Sequence, residues 1–361
     1  MPTRRSFLQA TGTAVALGPI ALAEEPTTVK RNSKIVDHFQ AVVKDVTPQL
    51  AWGAASPDAH ATWRKAFRAR LVELLGRTPE KVPLRFEWDE TVETDAFTRR
   101  KVYIQTEPHY WTPAYLFLPK RVSGKRPAVV CLHGHSGIVP YIREGDAKTR
   151  KKSKDHQLYY AVRLAEEGFV TCALVQRGWN ETKPERENGC HKMTIDSFLI
   201  GMTPVGLRVW DAMRAVDFLQ SLDAVDGDRI GVAGLSGGGT TSLFFAALED
   251  RVKLAMVAGY YCTFRDSIYT IYHCICNCVP HMMEWGEMSD VGALIAPRPM
   301  LVISGIQDPI FPIDATRRAC ETLRGTYRVL GAEANLETDF FEGPHAWNHA
   351  KVPAFLKRHF G

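Results

Sequence analysis

Residues 230–248 read IGVAGLSGGGTTSLFFAAL, and this stretch decides the fold. Its first six residues form a short apolar run that predicts a buried strand, and residues 240–248 predict a helix. Between them, the motif G-x-S-x-G is centred on Ser236. A strand that turns sharply into a helix at a serine needs small neighbours, because the serine backbone is strained and its side chain must project from the turn. The stretch therefore predicts that Ser236 is a nucleophile at the end of a strand.

A phosphate-binding loop is the competing interpretation of this glycine-rich turn. A P-loop needs a Lys-Ser/Thr pair after its last glycine, and a dinucleotide-binding turn needs a G-x-G-x-x-G frame. Neither pattern fits residues 234–240. The nucleophile interpretation is therefore favoured.

Five more apolar runs surround this strand in the sequence, at residues 128–132, 170–175, 254–258, 300–304 and 336–341. Helical stretches separate them, most clearly one that begins at Thr203-Pro204, a helix-capping residue followed by proline. Short continuous apolar runs separated by helices are typical of a parallel sheet that is covered on both faces. We expect an α/β fold with a mostly parallel sheet.

An N-terminal extension precedes this pattern. Residues 60–76 predict an amphipathic helix, with Trp63, Phe67 and Leu71 on one side. Residues 86–118 alternate as the strands of an antiparallel hairpin do. We predict that residues 24–100 form a helical and β-hairpin extension that packs on a catalytic domain of residues 101–361.

The first 23 residues have the features of an export signal. Arg4 and Arg5 precede a weakly apolar run that ends in Ala21-Leu22-Ala23. This segment resembles a twin-arginine signal peptide that is cut after about Ala23, and its apolar run is too short for a membrane span. The resemblance implies export in the folded state to the periplasm or the medium, without a membrane anchor.

Composition excludes several classes of protein. With 45% hydrophobic and 24% charged residues, the 361-residue chain is close to globular averages and is neither disordered, collagen-like nor coiled-coil. The formal net charge is +5, or +3 without residues 1–23, which is too small to indicate a nucleic-acid partner. The basic run 148–154 is flanked by acidic residues, so we predict a solvated loop there.

A serine hydroxyl is a weak nucleophile at neutral pH, so Ser236 needs a base whose tautomer is fixed by an acceptor. Asp308 and His345 each follow a predicted strand, which places them at the carboxyl edge of the sheet, where open α/β sheets hold their sites. We predict the catalytic triad Ser236, Asp308 and His345. The alternatives are His349 and, less favoured, His359 as the base, and Asp314 or Asp339 as the acid.

An oxyanion intermediate needs two backbone N–H donors, one after the nucleophile and one from the loop after an earlier strand. Gly237 supplies the first donor. The loop 132–137, LHGHSG, supplies the second, and we expect it to be the His135 amide, with Ser136 as the alternative. The side chain of His133 is expected to orient this loop.

Substrate contacts are predicted at three residues. Arg177 and Trp179 follow the run 170–175 at the active edge, where Trp179 could stack on a sugar ring. Trp285 lies in a segment that could line the pocket. Ordinary packing is the alternative for each of them.

Three of the eight cysteines form the run Cys274, Cys276 and Cys278. We expect no metal there, because Cys-x-Cys-x-Cys lacks the two-residue spacing with which tetrahedral zinc sites are usually chelated. The open alternatives are buried thiols that pack as small apolar groups and a disulfide that includes Cys262 or Cys190.

The motifs H-G-x-x-G, G-x-S-x-G-G, a late Asp and a late His make residues 100–361 resemble the α/β-hydrolase superfamily. Within it, the chain is similar to dienelactone-hydrolase-like and acetyl xylan esterase-like members, and the stretch 260–280 resembles a group of exported bacterial esterases. The resemblance implies a serine carboxylesterase that uses no cofactor and acts on carbohydrate esters. Dienelactone hydrolases use a cysteine nucleophile, where Ser236 stands here.

Two other functions share these motifs. Prolyl-oligopeptidase-like serine peptidases have the same triad order, but they usually add a propeller domain, for which the residues before the hairpin are too few. A catalytically inactive hydrolase fold that binds sugars or a partner protein is the other alternative.

Overall fold

A computed structural model describes residues 33–53, 55–120 and 124–361 of the chain. Contacts divide the chain into two compact units at Val46 and Thr47. The described part of the first unit contains helix α1 (Ile35–Val42) and a 3-10 turn (Val43–Asp45). The predicted export signal, residues 1–23, lies outside the described residues.

The second unit contains a nine-stranded sheet in the order β1-β2-β3-β5-β4-β6-β7-β8-β9. The first three strands and the β3–β5 pair are antiparallel, and all other neighbours are parallel. The strands are β1 (Phe86–Glu93), β2 (Phe97–Glu107), β3 (Tyr110–Pro119), β4 (Arg126–Leu132), β5 (Val170–Leu174), β6 (Val225–Leu235), β7 (Val252–Ala258), β8 (Met300–Gly305) and β9 (Leu336–Phe341).

In addition to short 3-10 turns and a π-helix (Phe264–Tyr269), ten α-helices of this unit lie around the sheet within the described residues. They are α2 (Pro57–Leu74), α3 (Ala147–Asp155), α4 (Tyr160–Glu166), α5 (Gly189–Leu199), α6 (Pro204–Gln220), α7 (Gly237–Leu248), α8 (Met282–Trp285), α9 (Met288–Ala293), α10 (Ile313–Val329) and α11 (Val352–Phe360). The predicted cap is present at α6, where the Thr203 hydroxyl accepts a hydrogen bond from the Gly206 amide at 3.0 Å. No helix in the described ranges combines the length and the apolar character that a membrane crossing requires.

Two hydrophobic cores cover the two faces of the sheet. Successive residues of β4 alternate between them: Val130 belongs to the core that α6 and α7 cover, and Val129 belongs to the core that α4 and α11 cover. Both side chains are fully buried, and burial of each stabilises the fold by about 1.5–3 kcal/mol. Burial on both faces explains why the strands appear in the sequence as continuous apolar runs.

The predicted parallel strands are confirmed, because the six apolar runs correspond to β4 through β9. The predicted amphipathic helix is α2, and the predicted hairpin forms β1 to β3. The domain boundary predicted at residue 100 lies inside β2, a strand that pairs with both of its neighbours in the sheet.

The prediction of a loop at residues 148–154 is wrong, because these residues belong to helix α3. Asp146 caps the helix by accepting a hydrogen bond from the Thr149 amide at 2.8 Å. Lys151 forms an ion pair with Asp155 one turn later, which offsets part of the repulsion among the basic side chains. The helix is anchored by buried Ser153, whose hydroxyl donates to the Pro140 carbonyl at 2.6 Å.

Candidate active site

The turn between β6 and α7 places Ser236 at the carboxyl edge of the sheet. Its backbone has φ +61° and ψ −122°, a conformation that non-glycine residues rarely adopt. Its neighbours must be small: a Cβ at Gly234 would lie 2.2 Å from the Gly238 carbonyl oxygen, and a Cβ at Gly238 would lie 1.8 Å from the Leu132 carbonyl oxygen. The strained turn is thus held by close backbone contacts that only glycine permits.

His345 and Asp308 form a hydrogen-bonded pair. His345 Nδ1 donates to Asp308 Oδ2 at 2.6 Å, since a carboxylate oxygen only accepts. The other oxygen, Oδ1, accepts from the amides of Ile310 at 3.0 Å and Phe311 at 3.1 Å. The Asp308 side chain is fully buried. These contacts hold the carboxylate in one orientation and leave the proton-accepting position of the imidazole at Nε2.

The imidazole of His345 lies beside the strand that neighbours Ser236. The Ser236 amide donates to the Ala258 carbonyl at 2.9 Å, and a Cβ at the next residue, Gly259, would lie 2.8 Å from His345 Cε1. Phe311 stacks on the same imidazole, with ring centroids 5.7 Å apart and planes at 19°. His345 Nε2 is buried and has no hydrogen-bond partner among the described residues. It is therefore available to accept a proton at this edge.

The loop after β4 is held by buried polar contacts. Tyr141 accepts a hydrogen bond from the Gly134 amide at 2.9 Å. His133 donates from Nδ1 to the Gly134 carbonyl at 2.8 Å and accepts at Nε2 from the Gln176 amide at 3.0 Å. Burial lowers the pKa of His133 to about 3, so the ring is neutral. The contacts of His133 are those of a residue that orients the loop.

The side chain of His135 lies against Gly237, the residue after Ser236. A Cβ at Gly237 would lie 2.8 Å from Cε1 of His135, so the His135 ring rests on the turn that follows Ser236. Among the described residues, neither the Gly237 amide nor the His135 amide donates to a protein acceptor. Two free N–H groups beside a projecting serine can receive the negative charge of a tetrahedral intermediate.

Three of the four alternative acid and base residues, His349, Asp314 and Asp339, have partners elsewhere, whereas Nε2 of His359 is buried in α11 without a hydrogen-bond partner among the described residues. His349 Nε2 pairs with Glu167 at 2.7 Å. Asp314 lies on the first turn of α10 with a side chain that is 80% exposed. Asp339, a residue of β9, accepts a hydrogen bond from the side-chain amide of Asn348 at 3.0 Å. None of these contacts involves Ser236, Asp308 or His345.

The structure places the two predicted substrate-binding tryptophans differently. Trp179 is half-buried beside the oxyanion loop, with its ring perpendicular to that of His135 and the centroids 5.3 Å apart. Trp285 lies in α8, where the Arg70 guanidinium stacks on its ring at 3.8 Å. Trp179 therefore lies next to the loop after β4, whereas the ring of Trp285 is covered by Arg70 of α2.

Arg177, the third predicted substrate-binding residue, is buried in an ion-pair network. Its guanidinium donates to both oxygens of Asp211 at 2.7 Å and also pairs with Glu107. Its planar group stacks on Tyr110 at 3.9 Å. The charge of Arg177 is therefore compensated by Asp211 and Glu107.

Sequence reasoning missed the residues that support the oxyanion loop. Gln176 accepts from the Thr241 hydroxyl at 2.6 Å and donates to the His133 carbonyl, so it links the loop to α7. Asn180 accepts from the Ile138 amide at 2.8 Å. The position of Gln176 just after a predicted strand could have indicated a place at the carboxyl edge of the sheet. Its contacts with Thr241 and His133 could not be predicted, because these residues are far from it in the sequence.

Three cysteines and one histidine also meet beside this loop. The ligand atoms of His135, Cys190, Cys274 and Cys276 all lie within 4.8 Å of one another. All eight cysteines of the chain are free thiols in the structure.

Two family models, one of esterases and one of peptidases, match parts of the chain. Residues 101–272 match the family model described as acetyl xylan esterase, and residues 207–345 match that of the prolyl oligopeptidase family. The chain is also similar to YtaP of Bacillus subtilis, which is named as a hydrolase. The two are 27% identical over 271 residues, which are 73% of this chain and 88% of YtaP.

Solved structures share the fold. A protein from Bacteroides fragilis described as an acetyl xylan esterase has a TM-score of 0.75 at 16% identity, over 87% of this chain and 84% of that chain. A glucuronoyl esterase from Solibacter usitatus has a TM-score of 0.64 at 16% identity, over 87% of this chain and 97% of that chain. At these identities the likeness concerns the fold.

Proposed function

From its place among the carboxylic ester hydrolases of the α/β-hydrolase superfamily, we propose that this chain is a serine esterase that acts on esters of carbohydrates. The observation that carries the proposal is the hydrogen-bonded His345–Asp308 pair beside the strained turn at Ser236. Esterase-like family and fold matches support the ester substrate.

In the proposed mechanism, Ser236 Oγ attacks the ester carbonyl while His345 Nε2 takes its proton. The new oxyanion accepts hydrogen bonds from the Gly237 and His135 amides, each worth about 3 kcal/mol in the transition state. The imidazolium then gives its proton to the leaving alcohol, and the acyl group stays on Ser236. Water, deprotonated by His345, releases the acid and restores the serine.

The carbohydrate alcohol is proposed on two grounds. The matching family model and several fold neighbours are described as esterases of xylan or of glucuronoyl groups. Trp179 is half-buried next to His135, so an aromatic side chain lies close to the loop that carries the proposed His135 donor. Aromatic faces pack well against the apolar sides of sugar rings, which supports a sugar at this position.

The test is hydrolysis by the purified chain of p-nitrophenyl acetate, butyrate and octanoate, of acetylated xylan and of a methyl glucuronate ester. We expect turnover of short acyl esters and acetate release from xylan, both abolished by Ser236→Ala. Ser221→Ala is the matched control, because this exposed serine caps the end of α6 and should leave activity unchanged. Hydrolysis that persists in Ser236→Ala, or no hydrolysis of any ester by folded protein, would refute the proposal.

Peptide hydrolysis is the second candidate function, because residues 207–345 match the prolyl oligopeptidase family. The same serine, histidine and aspartate would form an acyl-enzyme from a peptide bond. A proline p-nitroanilide substrate distinguishes the two functions. The esterase proposal expects ester turnover to exceed turnover of this amide by orders of magnitude.

Export remains a separate proposal that rests on residues 1–23. The twin arginines Arg4 and Arg5 and the Ala21-Leu22-Ala23 site support a signal that is recognised by the twin-arginine route and then removed. N-terminal sequencing of the protein recovered outside the cytoplasm should start near residue 24. Replacing both arginines with lysine should retain the uncut chain inside the cell.

A further inference from the structure

A cysteine cluster lies outside the proposed chemistry but next to it. Its members, His135, Cys190, Cys274 and Cys276, come from three separate segments: the loop after β4, the start of α5 and the segment after β7. His135 Nε2 is 3.3 Å from Cys276 Sγ, and Cys276 Sγ is 3.3 Å from Cys274 Sγ. The fold therefore brings four soft donor atoms to one point.

The spacing of these atoms suits tetrahedral coordination. With Zn–S distances of about 2.3 Å and Zn–N distances of about 2.1 Å, a tetrahedral site separates its sulfurs by about 3.8 Å and sulfur from nitrogen by about 3.6 Å. The observed separations of 3.3 Å, within a set that spans at most 4.8 Å, reach this geometry by small side-chain rotations. One histidine and three cysteines are also a common donor set of structural zinc sites.

The spacing objection raised by Cys-x-Cys-x-Cys does not apply to this arrangement. Tertiary structure supplies His135 and Cys190 as ligands, so the run contributes only Cys274 and Cys276. Cys278, the third cysteine of the run, is not part of the cluster.

The charge beside the cluster is the independent observation. Arg208 is buried with 3% exposure, and none of the described carboxylates forms an ion pair with it. Its guanidinium donates to Cys276 Sγ at 3.2 Å, to Cys190 Sγ at 3.6 Å and to the Arg177 carbonyl at 2.9 Å. A buried guanidinium needs a negative partner, and the sulfurs are the only acceptors here that can carry a charge.

We propose that His135, Cys190, Cys274 and Cys276 bind one zinc ion in a closed structural site. Zn²⁺ displaces the three thiol protons to solvent, and the ion with three thiolates and a neutral histidine has a net charge of −1. Arg208 neutralises this charge. Four protein ligands leave no open position for water, so the ion does not act on the substrate.

The role of the ion is to fix the loop that carries the His135 amide. The ring of His135 rests against Gly237, so binding of Nε2 to the ion sets the position of one oxyanion donor relative to the other. The same ion ties this loop to α5 and to the segment after β7. The site is therefore a cross-link between the oxyanion loop and the elements around it.

Metal analysis of the full chain, purified under reducing conditions without chelators, tests the proposal. We expect about one zinc per chain in the wild type and in Ser236→Ala. Cys190→Ser and Cys276→Ser should lose it, whereas Cys278→Ser is the matched control that should retain it. Because Ser236→Ala has no esterase activity but must hold zinc, failure of this proposal is distinguishable from failure of the proposed function.

A measurement on the wild-type chain covers the case in which cluster variants do not fold. Zinc removal should lower the melting temperature, and added zinc should restore it. Cobalt chloride added to the zinc-free chain should give the visible bands of tetrahedral cobalt and near-ultraviolet thiolate charge-transfer bands. The proposal is overturned if the wild type binds neither zinc nor cobalt, or if Cys278→Ser loses zinc as Cys276→Ser does. It is also overturned if the mass of the wild type is lower by two hydrogens because a disulfide joins two cysteines of the cluster.

Discussion

Replacement of Asp308 by asparagine should inactivate the enzyme without unfolding it. The asparagine carbonyl must occupy the place of Oδ1, because the amides of Ile310 and Phe311 donate to that atom. The asparagine NH₂ group then faces His345 Nδ1, which becomes an acceptor, and the imidazole proton moves to Nε2. In this tautomer, Nε2 cannot take the proton of Ser236.

The magnitude follows from the same contacts. To recover the reactive tautomer, the amide must flip and leave the two buried N–H groups without an acceptor, at about 1–3 kcal/mol each. A central value of about 4 kcal/mol corresponds to a loss of about 10³-fold in kcat, since each tenfold change is 1.36 kcal/mol. KM should change little, because the fully buried side chain of Asp308 is not exposed to a substrate.

The assay is steady-state hydrolysis of p-nitrophenyl acetate by wild type, Asp308→Asn, Asp339→Asn and the matched control Asp314→Asn. Asp314 is 80% exposed on α10, so its variant should retain wild-type kcat. Circular dichroism checks that each variant is folded. A loss of less than tenfold in folded Asp308→Asn would refute the reasoning, and a large loss in Asp339→Asn instead would move the acid role to that residue.

Two further predictions concern stability. Gly238→Ala should lower the free energy of unfolding in urea by more than about 3 kcal/mol, because its Cβ would lie 1.8 Å from the Leu132 carbonyl oxygen. The control is Gly53→Ala, whose Cβ would meet no neighbouring atom within 4 Å and which should change this free energy by less than about 0.5 kcal/mol. Equal effects of the two substitutions would contradict the steric argument. Burial raises the pKa of the Asp290 carboxyl group to about 6, so the folded state binds the carboxyl proton more tightly than the unfolded state does. The stability that this proton contributes is present below about pH 4 and is lost as pH rises through 6. The stability of wild type relative to Asp290→Asn should therefore fall by about 3 kcal/mol between pH 4 and pH 7, and a difference that is independent of pH would rule this out.

The sheet could be predicted because its signals are local. Each buried strand is a continuous apolar run, and Thr203-Pro204 marks the start of α6 within two residues. The prediction of a loop at residues 148–154 was wrong for two reasons. A run of basic residues alone predicts solvent exposure. The Asp146 cap on the Thr149 amide is a local signal that this interpretation passed over, whereas the contact of buried Ser153 with the Pro140 carbonyl forms only in the tertiary structure.

For the site, motif order led to His345 and Asp308 because the loops after parallel strands meet at one edge of the sheet. Residue type and position in the sequence could not show which of Trp179 and Arg177 is the better candidate for a substrate contact, because both follow the same strand. Only the structure shows that Arg177 is bound to Asp211 and that Trp179 faces the ring of His135.

The sequence by itself determined the candidate site residues Ser236, Asp308 and His345 and their order along the chain, since each stands in a motif of a few residues after a predicted strand. Only the tertiary structure decided which distant side chains meet: Asp211 with Arg177, and Cys190 with His135, Cys274 and Cys276. The physical reason is that hydrogen bonds, ion pairs and coordination act over a few ångströms in space. Residues separated by dozens of positions reach that range only after the sheet and its helices have packed.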